Sequence, residues 1–361
     1  MKNYLSINNL PDKQGVQDYV DSITNRQSSF SGIKYFDIAK MIAVNTNDLY
    51  ISFKGTDDYL VNTEQVNGEN KLGLNLSYGT NTCVMDKGNE YDDISPLWDY
   101  TYIPGTTSIN MSSHAHSEEG GSIYNKSLEQ SDMYLQDIVE HVYGDSTYEQ
   151  KLPEEDNVNY IYSSGYDKTN EVAWLMQRSV SHSENHFTVS CVATKEGMVL
   201  IGADLNYDAS QTGTFFSDRQ IETKLHTTIE QCFYKGEHQA PDNKTLIHGN
   251  AKYHVLDDNE ITLEVNNDFV GHWRRNKNDM HAQPITGNIL LAYLDTNTSK
   301  KYAYSIQHKD MPNDFTLIHN FDSDRIQEVK LPNGKHVILS YEETTYKGHN
   351  LLPGEVIITE E

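Results

Sequence analysis

From Lys34 onward the chain alternates short apolar runs, rich in β-branched and aromatic residues, with clusters of Asn, Asp, Gly, Lys and Thr. Such runs bounded by turn formers predict strands, and two of them around a short polar step predict a hairpin. IAVNTNDLYISF breaks at Asn45-Thr46-Asn47-Asp48, and HFTVSCVATKEGMVLIGADL breaks at Lys195-Glu196-Gly197. AKYHVLDDNEITLEV reads as a hairpin about Asp257-Asp258-Asn259, and ILLAYLDTNTSKKYAYSIQH repeats the same grammar. DRIQEVKLPNGKHVILSYEE carries Asn333-Gly334, a pair suited to a type I′ turn because both central residues need positive φ. Short polar connections of this kind specify antiparallel sheet, and no parallel βαβ unit is supported.

Helical periodicity is scarce. Residues 1–30 are polar, with a short helical pattern around Val16 to Ile23, and read as a lead-in or linker. SLEQSDMYLQDIVEHVYG has apolar positions at Met133, Leu135, Ile138, Val139 and Val142 before Gly144, which predicts a short helix ended by glycine. It falls in an acidic, loop-rich block from Ser112 to Asn170 that reads as an insertion between strands. The chain changes character after YAYSIQH, which sets a soft boundary near Lys309 to Phe315. The expected division is a lead-in at 1–30, a central β-domain at 31–310 and a smaller C-terminal β segment at 311–361. No fixed-period repeat is visible, which counts against propellers and solenoids.

Composition sharpens this picture at three points. Only 37% of the 361 residues are hydrophobic, yet 24 Tyr and 10 Phe supply bulky apolar surface with polar tips, enough for a folded chain with much exposed sheet. A formal net charge of −25 argues against nucleic acid as a partner, since phosphate binding needs a basic surface. Cys83, Cys191 and Cys232 are odd in number and isolated, so they predict buried small hydrophobes rather than a disulfide framework or zinc site. No apolar run is long enough for a membrane span. MKNYLSINNLPDKQ lacks the apolar core of a secretory leader.

The stretch from Val66 to Ile109, VNGENKLGLNLSYGTNTCVMDKGNEYDDISPLWDYTYIPGTTSI, breaks the strand grammar. It joins the polar group Asn67, Glu69 and Asn70 to a Tyr78-Gly79 turn, an acidic run, a Trp98-Asp99-Tyr100 step and the Pro104-Gly105 turn. Polar side chains, aromatics and Pro-Gly turns in close succession suit a surface that grips something polar and ring-shaped. NGEN, WDY and IPGTTS in this order resemble the central β-domain of polysaccharide lyase family 8, the hyaluronate, chondroitin and xanthan lyases. VSCVATKEGMVLIGADL and FFSDRQIETKLHTTIEQ look like later strands of that domain, so the resemblance covers roughly residues 30 to 310.

That resemblance implies an all-β fold, a large antiparallel β super-sandwich of galactose-mutarotase-like type, and an extracellular or periplasmic location. Secreted lyases carry a leader, so the resemblance places the natural N terminus upstream of Met1. It also implies β-elimination on a uronic-acid glycan: a base takes the C5 proton, the neighbouring carboxylate is neutralised, and an acid protonates the leaving oxygen. In the family the His, Tyr and Arg with these roles sit in an α/α toroid N-terminal to the β-domain, so the partners expected are an acidic polysaccharide and a toroid on the same or another chain. By motif, Glu69 and Asn70 match the cleft-facing catalytic positions of the β-domain, with Asn67 beside them. Glu69 would orient a catalytic Tyr or Arg across the cleft, because a carboxylate accepts paired hydrogen bonds from guanidinium.

Trp98 and Tyr100 are candidate stacking platforms for sugar rings, although aromatics of this kind serve equally well as core. Trp273-Arg274-Arg275 concentrates aromatic and positive character and suits a carboxylate or sulfate; an ordinary exposed loop end has the same composition. His114 and His116 would share one strand face, and His182, Glu184 and His186 one helix face, but neither group has the spacing of a metalloprotease motif. No cofactor is expected, and a divalent cation such as calcium has no motif behind it. Against the lyase reading stands a self-standing β-sandwich that binds glycan or serves structurally without catalysis.

Overall fold

The computed structural model describes residues 12–24, 31–46, 48–57, 72, 76, 81–86, 88–112, 160–180, 186–205, 222–276, 283–312 and 314–360. The helical pattern near the start forms α1 (Lys13–Thr24). The helix expected around Met133 to Val142 lies outside the described residues, as does most of the acidic block around it.

Strands are numbered in chain order. β1 (Gly32–Phe36), β2 (Met41–Thr46), β3 (Leu49–Lys54) and β4 (Asn81–Met85) form one antiparallel sheet. β5 (Thr107–Ser112) is followed by a meander of β6 (Tyr160–Asp167), β7 (Val172–Val180), β8 (His186–Thr194) and β9 (Gly197–Ala203). Then come β10 (Glu222–Phe233), β11 (His238–Asp242), β12 (Thr245–His248), β13 (Ala251–Val255), β14 (Ile261–Gly271), β15 (Ile285–Asp295) and β16 (Tyr302–His308). The tail supplies β17 (Thr316–Asn320), β18 (Ile326–Lys330), β19 (His336–Ser340), β20 (Thr344–Tyr346), β21 (His349–Leu351) and β22 (Val356–Thr359).

The centre is an eight-stranded sheet in the order β11-β12-β13-β16-β9-β8-β7-β6. Because successive side chains point to opposite faces, each central strand feeds two cores. On β9, Met198 and Leu200 join the larger core while Val199, Ile201 and Ala203 join a second one. On β7 the same division separates Ala173 and Leu175 from Val172 and Met176. The larger core is closed by the β1–β4 sheet, through Ile42, Val44, Ile51 and Phe53, and by the β14-β15-β10-β5 sheet, through Leu225, Ile229, Leu290 and Leu294. The second is closed by the β17-β18-β19-β22 sheet, through Val329, Val337, Leu339 and Tyr341. Residues from Phe315 onward therefore form a third layer over the middle sheet and share its core. The observed class is all-β and antiparallel, a layered super-sandwich.

Three of the sequence hairpins form as expected: β2–β3, β8–β9 and β18–β19. Two do not. β13 pairs with β12 and β16, whereas β14 pairs with β15, so the Asp257-Asp258-Asn259 turn carries the chain from one sheet to another. The connection from β15 to β16 crosses in the same way, since β15 pairs with β10 and β14. Both reversals use Asx-type bonds that any tight turn favours: Asn259 N–H donates to Asp257 Oδ1 at 3.0 Å, and Asn297 N–H to Asp295 Oδ1 at 3.0 Å. The β18–β19 turn is also not type I′. Gly334 N–H donates to Leu331 O at 2.9 Å, Pro332 sits second in the turn, and only Gly334 takes positive φ, at 91°. His186 opens β8 opposite Val180, which overturns the helix-face reading of His182 to His186 at that residue.

Candidate functional site

The Trp98-to-Thr107 step is built as a buried loop clamped onto β10. Gln231 does most of the clamping: its Oε1 accepts from Asp99 N–H at 2.8 Å, and its Nε2 donates to Asp99 O at 2.9 Å and Tyr102 O at 2.7 Å. Its own carbonyl accepts the Trp98 indole N–H at 3.1 Å. Asp99 Oδ1 accepts from the Thr101 N–H at 2.9 Å and hydroxyl at 2.7 Å, closing the loop on itself. The ring of Tyr102 lies 4.1 Å from that of His226, whose Nε2 is 2.9 Å from Thr101 O. At the Pro104-Gly105 turn, Gly105 has φ of 82°, and a Cβ there would sit 2.6 Å from Thr82 N. Only glycine fits that close approach to β4.

A second segment docks on this loop from β14. At Gly271 an added Cβ would lie 1.7 Å from Pro96 O, so the backbones touch. The chain then makes a 3-10 turn at Trp273–Arg275. The Arg275 guanidinium donates to Pro96 O at 2.7 Å and Trp98 O at 2.9 Å, and Asn276 Nδ2 donates to the Tyr100 hydroxyl. Trp98 is flanked by Tyr91 at 6.2 Å and Tyr100 at 5.9 Å between ring centres.

The structure thus divides the residues singled out from sequence. Trp98 and Trp273 are half-buried and Arg274 is exposed, and all three belong to these two docked segments. Tyr100 is 3% exposed and Arg275 is 3% exposed. Their polar ends meet protein groups, so neither presents an open surface to a ligand; this corrects the sequence reading of them as sugar contacts. His272 completes the rim beside Arg274, with its imidazole held below its usual pKa by burial and by the two arginines. Asn67, Glu69, Asn70, His114, His116, His182 and Glu184 lie outside the described residues. Among the described residues no group of three or more His, Cys, Asp or Glu side chains could hold a metal ion.

Behind the loop lies a buried polar cluster that sequence reading missed. Glu230 is 1% exposed and receives the Tyr91 hydroxyl at 2.8 Å and the Tyr253 hydroxyl at 2.6 Å. The ladder of β10 shifts register between Thr228 and Glu230. Burial pushes the Glu230 carboxyl up to about 7, against hydrogen bonds from Tyr253, Tyr91 and the Gln231 N–H. Nearby, Glu90 receives Lys235 Nζ at 2.5 Å, and burial, with help from Lys235, drives His248 down to about 4. Cys83 and Cys232 border this cluster as free thiols, and burial raises the Cys83 thiol to about 12. The one sequence signal for it is the pair Glu230-Gln231 inside the otherwise strand-like run TTIEQCFY.

Residues 31–137 match the profile of the polysaccharide lyase family 8 super-sandwich domain. No curated protein sequence matches the chain. Among solved structures, the chain is similar to the chondroitin AC lyase of Streptomyces coelicolor in complex with chondroitin sulphate, with a TM-score of 0.64 and 15% identity over 98% of this chain and 44% of that one. A second chondroitinase AC lyase matches with a TM-score of 0.61 and 15% identity over 90% of this chain and 46% of the other. A chondroitin lyase that is a baculovirus envelope protein matches with a TM-score of 0.51 and 9% identity over 88% and 45%. The chain spans less than half the length of these lyases. At these identities the likeness establishes the fold. Among the described residues no helix is long and apolar enough to cross a membrane.

Proposed function

We propose that this chain, a polysaccharide lyase-like β super-sandwich, is the β-domain of a lyase that cleaves uronic-acid glycans of the chondroitin or hyaluronan type by β-elimination. The observation that carries the reading is the match of residues 31–137 to the family 8 super-sandwich domain, which contains the whole docked loop from Trp98 to Thr107. The His, Tyr and Arg that abstract and deliver protons come from a helical domain on the same or another chain. The match of nearly the whole of this chain to less than half of the lyases supports that division of labour.

On this side of the cleft the chain supplies grip and orientation. Half-buried Trp98 and Trp273 offer ring faces to the C–H faces of a sugar, and exposed Arg274 offers a planar cation to a carboxylate or sulfate. With a formal charge of −25, the protein repels an anionic glycan at long range, so attraction has to be local and short. Glu69 and Asn70 are proposed to orient the catalytic groups of the helical domain.

The test is elimination by the protein with its helical domain, followed as ultraviolet absorbance of the unsaturated product from chondroitin sulfate and hyaluronan. Unsaturated product is expected, and Glu69→Gln is expected to lower kcat with little change in KM. Arg274→Gln is expected to weaken chondroitin sulfate binding about fivefold, the loss that about 1 kcal/mol of charge contact represents. Absence of product on every uronate glycan would overturn the lyase assignment; binding without turnover would leave a non-catalytic glycan-binding sandwich.

A further inference from the structure

Arg275 stands immediately after the exposed Arg274, and the two have opposite environments. Arg274 is on the surface, whereas Arg275 is 3% exposed and donates to two backbone carbonyls two residues apart, Pro96 O at 2.7 Å and Trp98 O at 2.9 Å. A guanidinium can bridge two such acceptors because its donors are held in a rigid plane; an ammonium is a single point of contact. The bridge joins segments far apart in sequence, and it falls on the residue that carries the Trp98 ring. Contact of Gly271 with Pro96 O and the Asn276 bond to the Tyr100 hydroxyl flank it on either side. Trp273 and Arg274 lie between these attachments, so their backbone is fixed from both ends.

We infer that Arg275 is a positioning residue: it latches the Trp273–Arg274 turn onto the Trp98 loop, so that the two indoles and the Arg274 cation present one preset surface to an acidic glycan without Arg275 touching the glycan. The glycan part of this statement rests on the proposed function; the latch itself does not. Pre-setting matters because each side chain that must be ordered on binding lowers affinity.

The chain has three tryptophans, and the third, Trp174, lies on β7 with its indole N–H on Ser163 Oγ at 3.0 Å. Fluorine-labelled tryptophan therefore gives three resonances, assigned by single Trp→Phe replacements, of which Trp174 reports on the fold alone. Arg275→Lys and Arg275→Gln are compared with the unsubstituted chain, and chondroitin sulfate and hyaluronan oligosaccharides are titrated into each. The expected result is that both variants shift or broaden the Trp98 and Trp273 resonances and leave Trp174 in place. Chondroitin sulfate binding weakens about fivefold, as for one lost contact of about 1 kcal/mol. In a Trp98→Ala, Trp273→Ala, Arg274→Gln background the Arg275 replacement costs no further affinity, because it acts through those three residues.

Additive loss in that background would mean that Arg275 meets the glycan directly and would overturn the inference. Unmoved Trp98 and Trp273 resonances in Arg275→Gln would overturn the latch. If the resonances respond but Trp273→Ala and Arg274→Gln leave binding unchanged, the latch stands and the glycan reading of this rim fails. Should Arg275→Gln disturb Trp174 as well, Arg275→Lys, which keeps the charge and one donor contact, decides by the same criteria.

Discussion

Glu230 and His248 are buried groups of opposite kind, and their effects on stability oppose each other. The Glu230 carboxyl is raised from 4.5 to about 7 on folding. Its contribution is therefore full below about 4.5 and lost as pH rises through about 7, a loss on the order of 3 kcal/mol. The His248 imidazole is lowered from 6.5 to about 4, so its contribution is present above about 6.5 and lost as pH falls through about 4. Urea unfolding at a series of pH values separates the two. Glu230→Gln is expected to leave stability rising with pH from about 4 to 6.5, and His248→Asn to leave it falling from about 4.5 to 7. A Glu230→Gln profile that matches the unsubstituted protein would show that this carboxyl does not titrate in the range. Only Glu230-Gln231 inside the strand-like run TTIEQCFY hinted at Glu230, and its surroundings depend on Tyr91 and Tyr253 arriving from other segments. The same holds for the Trp98 step: its mixture of polar and aromatic residues was legible, but Gln231, which buries it, lies 132 residues away.

At the scale of elements, turn chemistry told where the chain reverses and not which strand it pairs with afterwards. The turns after β2, β8 and β18 close true hairpins, while Asp257 to Asn259 reverses the chain with a local side-chain bond of its own and leads into another sheet. The two strands enter different sheets that face one core: Tyr253 and Val255 belong to it from the middle sheet, whereas Ile261 and Leu263 pack against it from the β15 side. Two replacements test the points where backbone geometry decides. Gly334→Val is expected to cost about 1–2 kcal/mol in chemical unfolding, because a side chain must then hold the left-handed conformation. Gly271→Ala is expected to cost more and to move the Trp98 and Trp273 resonances, since a Cβ cannot share space with Pro96 O. A silent Gly271→Ala would mean that the two segments are not in contact.

At the scale of the whole molecule, the apolar run MVLIGA and the nearly apolar VSCVA are explained by a middle sheet covered on both faces, where strands need no solvent-facing polar side. Ile201→Ala on the second core is expected to cost about 2–5 kcal/mol. Removing residues 311–361 uncovers Val172, Met176, Val199 and Ile201 together. Such a truncation is expected to be insoluble or to bind hydrophobic dyes, which light scattering and dye fluorescence would register; a soluble, cooperative 1–310 chain would show instead that the third layer is a dispensable lid. The strand order has a further consequence for biogenesis. β16 lies between β13 and β9, so until Tyr302–His308 leave the ribosome, β9 has an unpaired rim of backbone donors and acceptors on a fully apolar strand. The nascent chain is sticky from the emergence of β9 until that of β16, and recovery from denaturant should be slow and worsen with protein concentration.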